Sequence, residues 1–67
     1  MANRVAEVNR ELRLLGHAER LRKGRGYYYF VEGEAMNWFT SSVPVCHAEN
    51  LSVDRWLQEY DWLKAGR

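Results

Sequence analysis

Apolar positions recur at helical spacing at both ends of the chain and at strand spacing between them. Val5, Val8, Leu12 and Leu15 fall on one narrow stripe, with Arg4, Glu7, Arg10, Glu11 and Arg13 filling the other faces. The pattern predicts an amphipathic helix over residues 3–15, capped by Asn3 and stopped at Gly16. Leu14 lies off the stripe, placed to reach a sheet edge. Near the other end Val53, Trp56, Leu57, Tyr60 and Leu63 form a second apolar face, which predicts a helix over residues 52–64. Ser52 is its N-cap, Asp54 sits in the first turn, and Leu51 and Trp56 hold the N′ and N4 positions of a hydrophobic staple.

Between the helices the period shortens. From His17 to Lys23 only Ala18 and Leu21 are apolar, so this stretch reads as a linker and a polar edge strand. Gly24-Arg25-Gly26 is a turn signal. Tyr27 to Val31 are all β-favouring and form the next strand, with Tyr27, Tyr29 and Val31 on one face and Tyr28 and Phe30 on the other. Both faces are apolar. The simplest expectation is a central strand covered on both sides; the other is that one aromatic face stays open for a partner. Glu32 to Phe39 has no clean period and reads as a loop with one helical turn, tucking Met36, Trp38 or Phe39 against the core. Thr40 to Cys46 reads as a third strand, at an edge or bulged because Pro44 has no N–H to donate.

The predicted fold class is therefore α+β: helix, three-stranded antiparallel β-meander, helix, with two helices packed on one face of the sheet. With 67 residues the chain is one small domain, in the size range where a core is marginal. Three Trp, four Tyr and two Phe compensate, since large aromatics bury much area per residue. One Cys excludes an internal disulfide and fits a reducing compartment. With no long apolar run and no apolar signal core at the start, the expectation is a soluble, cytoplasmic protein without a membrane partner.

Charge adds an asymmetry. Residues 1–31 hold seven Arg/Lys and three Glu, or +4; residues 32–67 hold three Arg/Lys and six Asp/Glu, or −3. Catalysis finds little support. Cys46 and His47 are neighbours, so on a strand they point apart instead of forming a nucleophile–base pair, and a lone Cys is usually a packing residue. Two His and one Cys at distant positions give no zinc spacing. Glu32 and Glu34 flank a Gly turn and read as solvated, and Gly24-Arg25-Gly26 lacks the rest of a phosphate loop. No catalytic residue, metal or cofactor is expected.

Binding is better supported. Arg20, Arg22, Lys23 and Arg25 put four cations in six residues beside an aromatic strand, the chemistry that neutralises phosphates and stacks bases. Arg25-Gly26-Tyr27 resembles the start of an RNA-recognition-motif strand, but Tyr28 stands where that signature has Gly or Ala, and the acidic second half opposes a polyanion. Tyr, Trp and Arg are also the usual anchors of protein interfaces. Trp62 lies opposite the apolar face of the second helix, on the side of Arg55 and Gln58, either folded down by the last turn or exposed to a partner.

The segment Lys23-Gly-Arg-Gly-Tyr-Tyr-Tyr-Phe-Val-Glu-Gly-Glu-Ala, then Trp38, Ser42-Val43 and Leu51-Ser-Val-Asp-Arg-Trp, is similar to small bacterial proteins of unassigned activity carried by phages and other mobile elements. The similarity spans about residues 20 to 57. It implies a small protein that binds and blocks host machinery, defence systems such as CRISPR complexes included, and it transfers no residue role. The expected function is a non-enzymatic, protein-binding accessory or inhibitor, with nucleic-acid binding as the alternative. The expected partner-binding residues are Arg20, Arg22, Lys23, Arg25, Tyr27, Tyr29 and Trp62, and a homodimer is compatible with the same surface.

Overall fold

The computed structural model describes residues 3–66. In chain order these form helix α1 (Arg4–Leu14), strands β1 (Arg20–Lys23) and β2 (Tyr28–Val31), a 3₁₀ turn (Ala35–Asn37), strand β3 (Ser42–Val43), a second 3₁₀ turn (Ala48–Asn50) and helix α2 (Val53–Lys64). The strands make one antiparallel sheet in the order β1-β2-β3, with β2 central, as the meander requires. Leu21 faces Phe30 and Arg22 faces Tyr29 across one ladder, and Tyr28 faces Val43 and Tyr29 faces Ser42 across the other.

That register sorts the side chains. Leu21, Tyr28, Phe30 and Val43 fall on one face and are buried together with Val8 and Leu12 of α1 and Trp56, Tyr60 and Leu63 of α2. Both helices therefore pack on this face, and the fold is the two-layer α+β arrangement. Tyr28 and Trp56 meet edge to face at 5.6 Å, as do Phe30 and Tyr60. Polar tips of the buried aromatics find main-chain partners. The Trp56 Nε1–H donates to the Ala48 carbonyl (2.8 Å), and the Ala48 N–H donates to the Tyr28 hydroxyl (3.1 Å). The second 3₁₀ turn is thus clamped between sheet and helix.

Both helix starts form as expected: Asn3 Oδ1 accepts from the Ala6 N–H at 2.8 Å, and Ser52 Oγ from the Arg55 N–H at 3.1 Å. Leu51 packs against the core ahead of α2, as a staple residue does.

Three local expectations need correction. Leu15 is exposed, as is Leu14, because α1 ends at Leu14 and the stripe's last position lies in the cap. The third strand is Ser42–Val43, not Thr40–Cys46. Pro44 cannot extend the ladder, and the Val45 N–H turns back to the Val43 carbonyl at 2.9 Å instead of crossing to β2. The central strand, finally, is covered on one face and not on both.

The β1 edge is closed by a side chain. On β1, Leu21 turns its main chain away from β2, and the Asn9 amide takes both groups: Leu21 N–H donates to Asn9 Oδ1 (2.6 Å) and Asn9 Nδ2 donates to the Leu21 carbonyl (3.1 Å). An asparagine on α1 stands in for a fourth strand, and α1 is thereby fixed against the sheet.

Candidate functional site

The uncovered outer face of the sheet holds most of the expected partner-binding residues. Tyr29 and Val31 lie on β2, with Arg22 opposite Tyr29 and Arg20 opposite Val31 on β1, and Tyr27 stands in the turn just before β2, which begins one residue later than expected. Tyr27 is 40 % exposed and its ring meets Tyr29 at 5.8 Å, tilted by 41°. The hydroxyl end of the Tyr27 ring lies beside Gly24, where a Cβ would stand 2.6 Å from it. The absence of a side chain at Gly24 is what lets the ring settle there. The side chains of Arg22 and Arg25 are exposed and make neither an ion pair nor a hydrogen bond among the described residues.

The other expected residues are placed differently. Arg20 is half-buried, and its Nη1 donates to the His17 and Glu19 carbonyls at 2.6 and 2.7 Å, so part of its donor set is used inside the fold. Lys23 pairs with Tyr28 and belongs to the helix side, at the rim of a groove of about 520 Å³ that Arg4, Asn9, Ala48 and Glu49 also line. Trp62 is half-buried, far from the hairpin in the fold's other layer, with the Arg55 guanidinium 4.8 Å above its ring. Cys46 and His47 are both exposed, and His17 packs against the Tyr60 ring at 4.7 Å.

A second surface was not singled out by the sequence pattern. The loop from Glu32 to Ser41 alternates buried and exposed apolar side chains. Ala35 is buried, and Trp38 packs tilted against Phe30 (5.9 Å) and edge to face against Tyr60 (5.4 Å). Between and beside them, Met36 is 87 % and Phe39 89 % exposed. Of the three candidates for the tucked residue, Trp38 takes that role. The backbone is braced by 3₁₀ bonds from Asn37 N–H to Glu34 and from Trp38 N–H to Ala35 carbonyls, at 2.9 and 3.2 Å. Two large apolar groups thus project from a pinned turn. The signal was the lack of any period in an apolar-rich stretch.

Glu19 is the other residue that the pattern does not mark. It is 5 % exposed and anchors this loop. The Tyr60 hydroxyl donates to Glu19 Oε1 (2.6 Å) and the Glu34 N–H to Oε2 (2.7 Å). Burial opposes the charge, but these hydrogen bonds outweigh it and hold the carboxyl below the usual carboxylate range. Burial, reinforced by the same carboxylate, pushes the Tyr60 hydroxyl well up. Gly33, at φ +54°, is required beside it, because a Cβ there would collide with the Glu19 carboxylate.

No family model, curated protein or solved structure matches the chain. Among the described residues no group of three or more His, Cys, Asp and Glu is arranged to hold a metal ion, and no helix is long and apolar enough to cross a membrane.

Proposed function

We propose that this chain is a small non-enzymatic binding protein that docks on a protein partner through the Met36–Phe39 loop. One observation carries the reading: Met36 and Phe39 are 87 % and 89 % exposed on a turn that Ala35 and Trp38 pin to the core. Exposed large apolar groups on an ordered loop are expensive to leave in water and mark interaction sites. A loop already held in shape loses little entropy on binding, which is how compact inhibitors gain affinity. An accessory or inhibitor of host machinery, the role implied by the resemblance to mobile-element proteins, is what such a loop fits.

The test is capture from nuclease-treated bacterial lysate by the wild-type chain and by the double variant Met36→Ser/Phe39→Ser. Both side chains are exposed, so the variant is expected to melt within about 0.5 kcal/mol of wild type. A protein captured by wild type and lost with the variant is the expected result. Equal capture by both would remove the loop from the interface.

A further inference from the structure

We propose that the outer face of the sheet binds a single strand of nucleic acid, DNA and RNA alike, independently of the protein-docking loop. The observation is a pair of parallel rows of different chemistry. Arg20 and Arg22 stand on the outer face of β1, and the row continues to Arg25 at the hairpin tip. Tyr29 stands beside it on β2, and Tyr27, in the turn just before β2, meets the Tyr29 ring. Alternate residues on a strand are about 6.6 Å apart and neighbouring strands about 4.8 Å apart. A single strand of nucleic acid has the same layout, with a charged phosphate edge running beside a row of flat bases. Phosphates over the arginines would place bases over the two tyrosine rings, the combination that binds single strands without reading sequence.

The charges support this occupant over an acidic protein. Arg22 and Arg25 have no intramolecular partner among the described residues, unlike Arg4 and Arg55, which pair with Glu7 and Glu59. The carboxylates that made a polyanion unattractive at the level of composition are largely elsewhere. Asp54, Glu59 and Asp61 belong to α2, which packs on the opposite face of the sheet. Glu32 and Glu34 follow the end of β2 away from the tip, on the side where Arg20 pairs with Val31. They limit the footprint to two or three nucleotides.

The experiment is fluorescence anisotropy of labelled oligo-dT and oligo-U with the full chain across a salt series. Binding of both is expected, weakening with salt at a logarithmic slope of about −2, from three cations at roughly 0.7 each. Arg22→Gln/Arg25→Gln should weaken binding and flatten the slope to about −0.7. Tyr27→Leu and Tyr29→Leu keep an apolar side chain but remove the stacking ring, and each should cost roughly ten-fold in affinity. Gly24→Ala, which displaces the Tyr27 ring, should match Tyr27→Leu. Met36→Ser/Phe39→Ser should leave oligonucleotide binding unchanged, so this inference and the docking loop fail separately. Circular-dichroism melts confirm that each variant is folded. No binding at low salt would overturn the proposal, as would affinity insensitive to the tyrosines. Protein capture lost in the tyrosine variants, with oligonucleotide binding intact, would assign the face to a protein and overturn it as well.

Discussion

The two faces of the central strand use almost the same residue types for opposite ends. Tyr28 and Phe30 face the helices and are buried, with the Tyr28 hydroxyl engaged by the Ala48 N–H. Tyr29 and Val31 face away from the helices, and the residues opposite them on β1 are Arg22 and Arg20, while Tyr27 sits in the turn across from Gly24. Aromatic content by itself therefore does not decide burial; the neighbours across the ladder do. Leu21 and Val43 flank the inner aromatics and continue an apolar surface, with Lys23 only at its rim opposite Tyr28, whereas Arg20, Arg22 and Ser42 flank the outer ones and break it. The inner face holds the fold together. The outer face keeps a surface that neither α1 nor α2 covers.

Removing the centre of the inner face should have the largest effect. Trp56 is fully buried, meets Tyr28 edge to face, and donates to the Ala48 carbonyl. Trp56→Ala is expected to cost about 3–5 kcal/mol. In a domain with about 5 kcal/mol of stability in total, that largely unfolds the chain. A thermal or urea melt checks it. An unchanged midpoint would mean that α2 does not pack on the inner face.

The rim of the inner face should respond to pH. Glu19 has a folded-state pKa below its unfolded value, so its contribution is present above the unfolded value, about 4.3, and is lost as pH falls through the folded one. Tyr60 has a raised pKa, so its contribution is present below the unfolded value, about 10, and is lost at higher pH. Stability should therefore decline on both the acid and the alkaline side through one hydrogen bond. Tyr60→Phe leaves a buried carboxylate with one partner fewer and should cost about 1.5–3 kcal/mol near neutrality. The same change should remove the alkaline decline and shrink the acid decline, because losing this hydrogen bond raises the folded-state pKa of Glu19 toward its unfolded value. Urea melts between pH 3 and pH 11 give both limbs; an alkaline limb that survives Tyr60→Phe would assign it to another group.

Both helices were legible in the sequence because their signals are local. Asn3, Ser52 and the Leu51–Trp56 staple each act within one turn, and the stripes repeat at helical spacing. The strand order followed from short connections and a polar first strand. The covering of β2 was not legible, because both of its faces are apolar and only the register with β1 and β3 shows which one the helices take. The third strand shrank because a turn from Val45 back to Val43 wins over pairing beyond Pro44. Glu19 and Asn9 were missed for one reason. Each is a polar residue in a polar segment, and their partners lie 41 and 12 residues away, where no local pattern reaches. Of the expected site residues, the ladder sets Arg22 opposite Tyr29 and the rings of Tyr27 and Tyr29 meet, while Lys23 turns to the other face, and the Met36 and Phe39 projections depend on Trp38 turning inward.

The smallest effect is expected on the outer face, and it gives the sharpest test of the comparison. Tyr29→Thr keeps a β-favouring residue at the centre of β2, opposite Arg22 and Ser42. It removes the ring contact with Tyr27 but opens no cavity in the core. The cost should stay near or below 1 kcal/mol, the range of one cross-strand aromatic pair. Melts of wild type and variant should differ by a few degrees, and neither midpoint should move with protein concentration. A loss of about 3 kcal/mol or more would show that the face is covered in solution. If the wild-type midpoint then rose with concentration, the cover would be a second copy of the chain, since association stabilises the folded state by mass action. If it did not, the strand ladder itself would depend on the Tyr29 ring, and the two faces would be more alike energetically than their burial suggests.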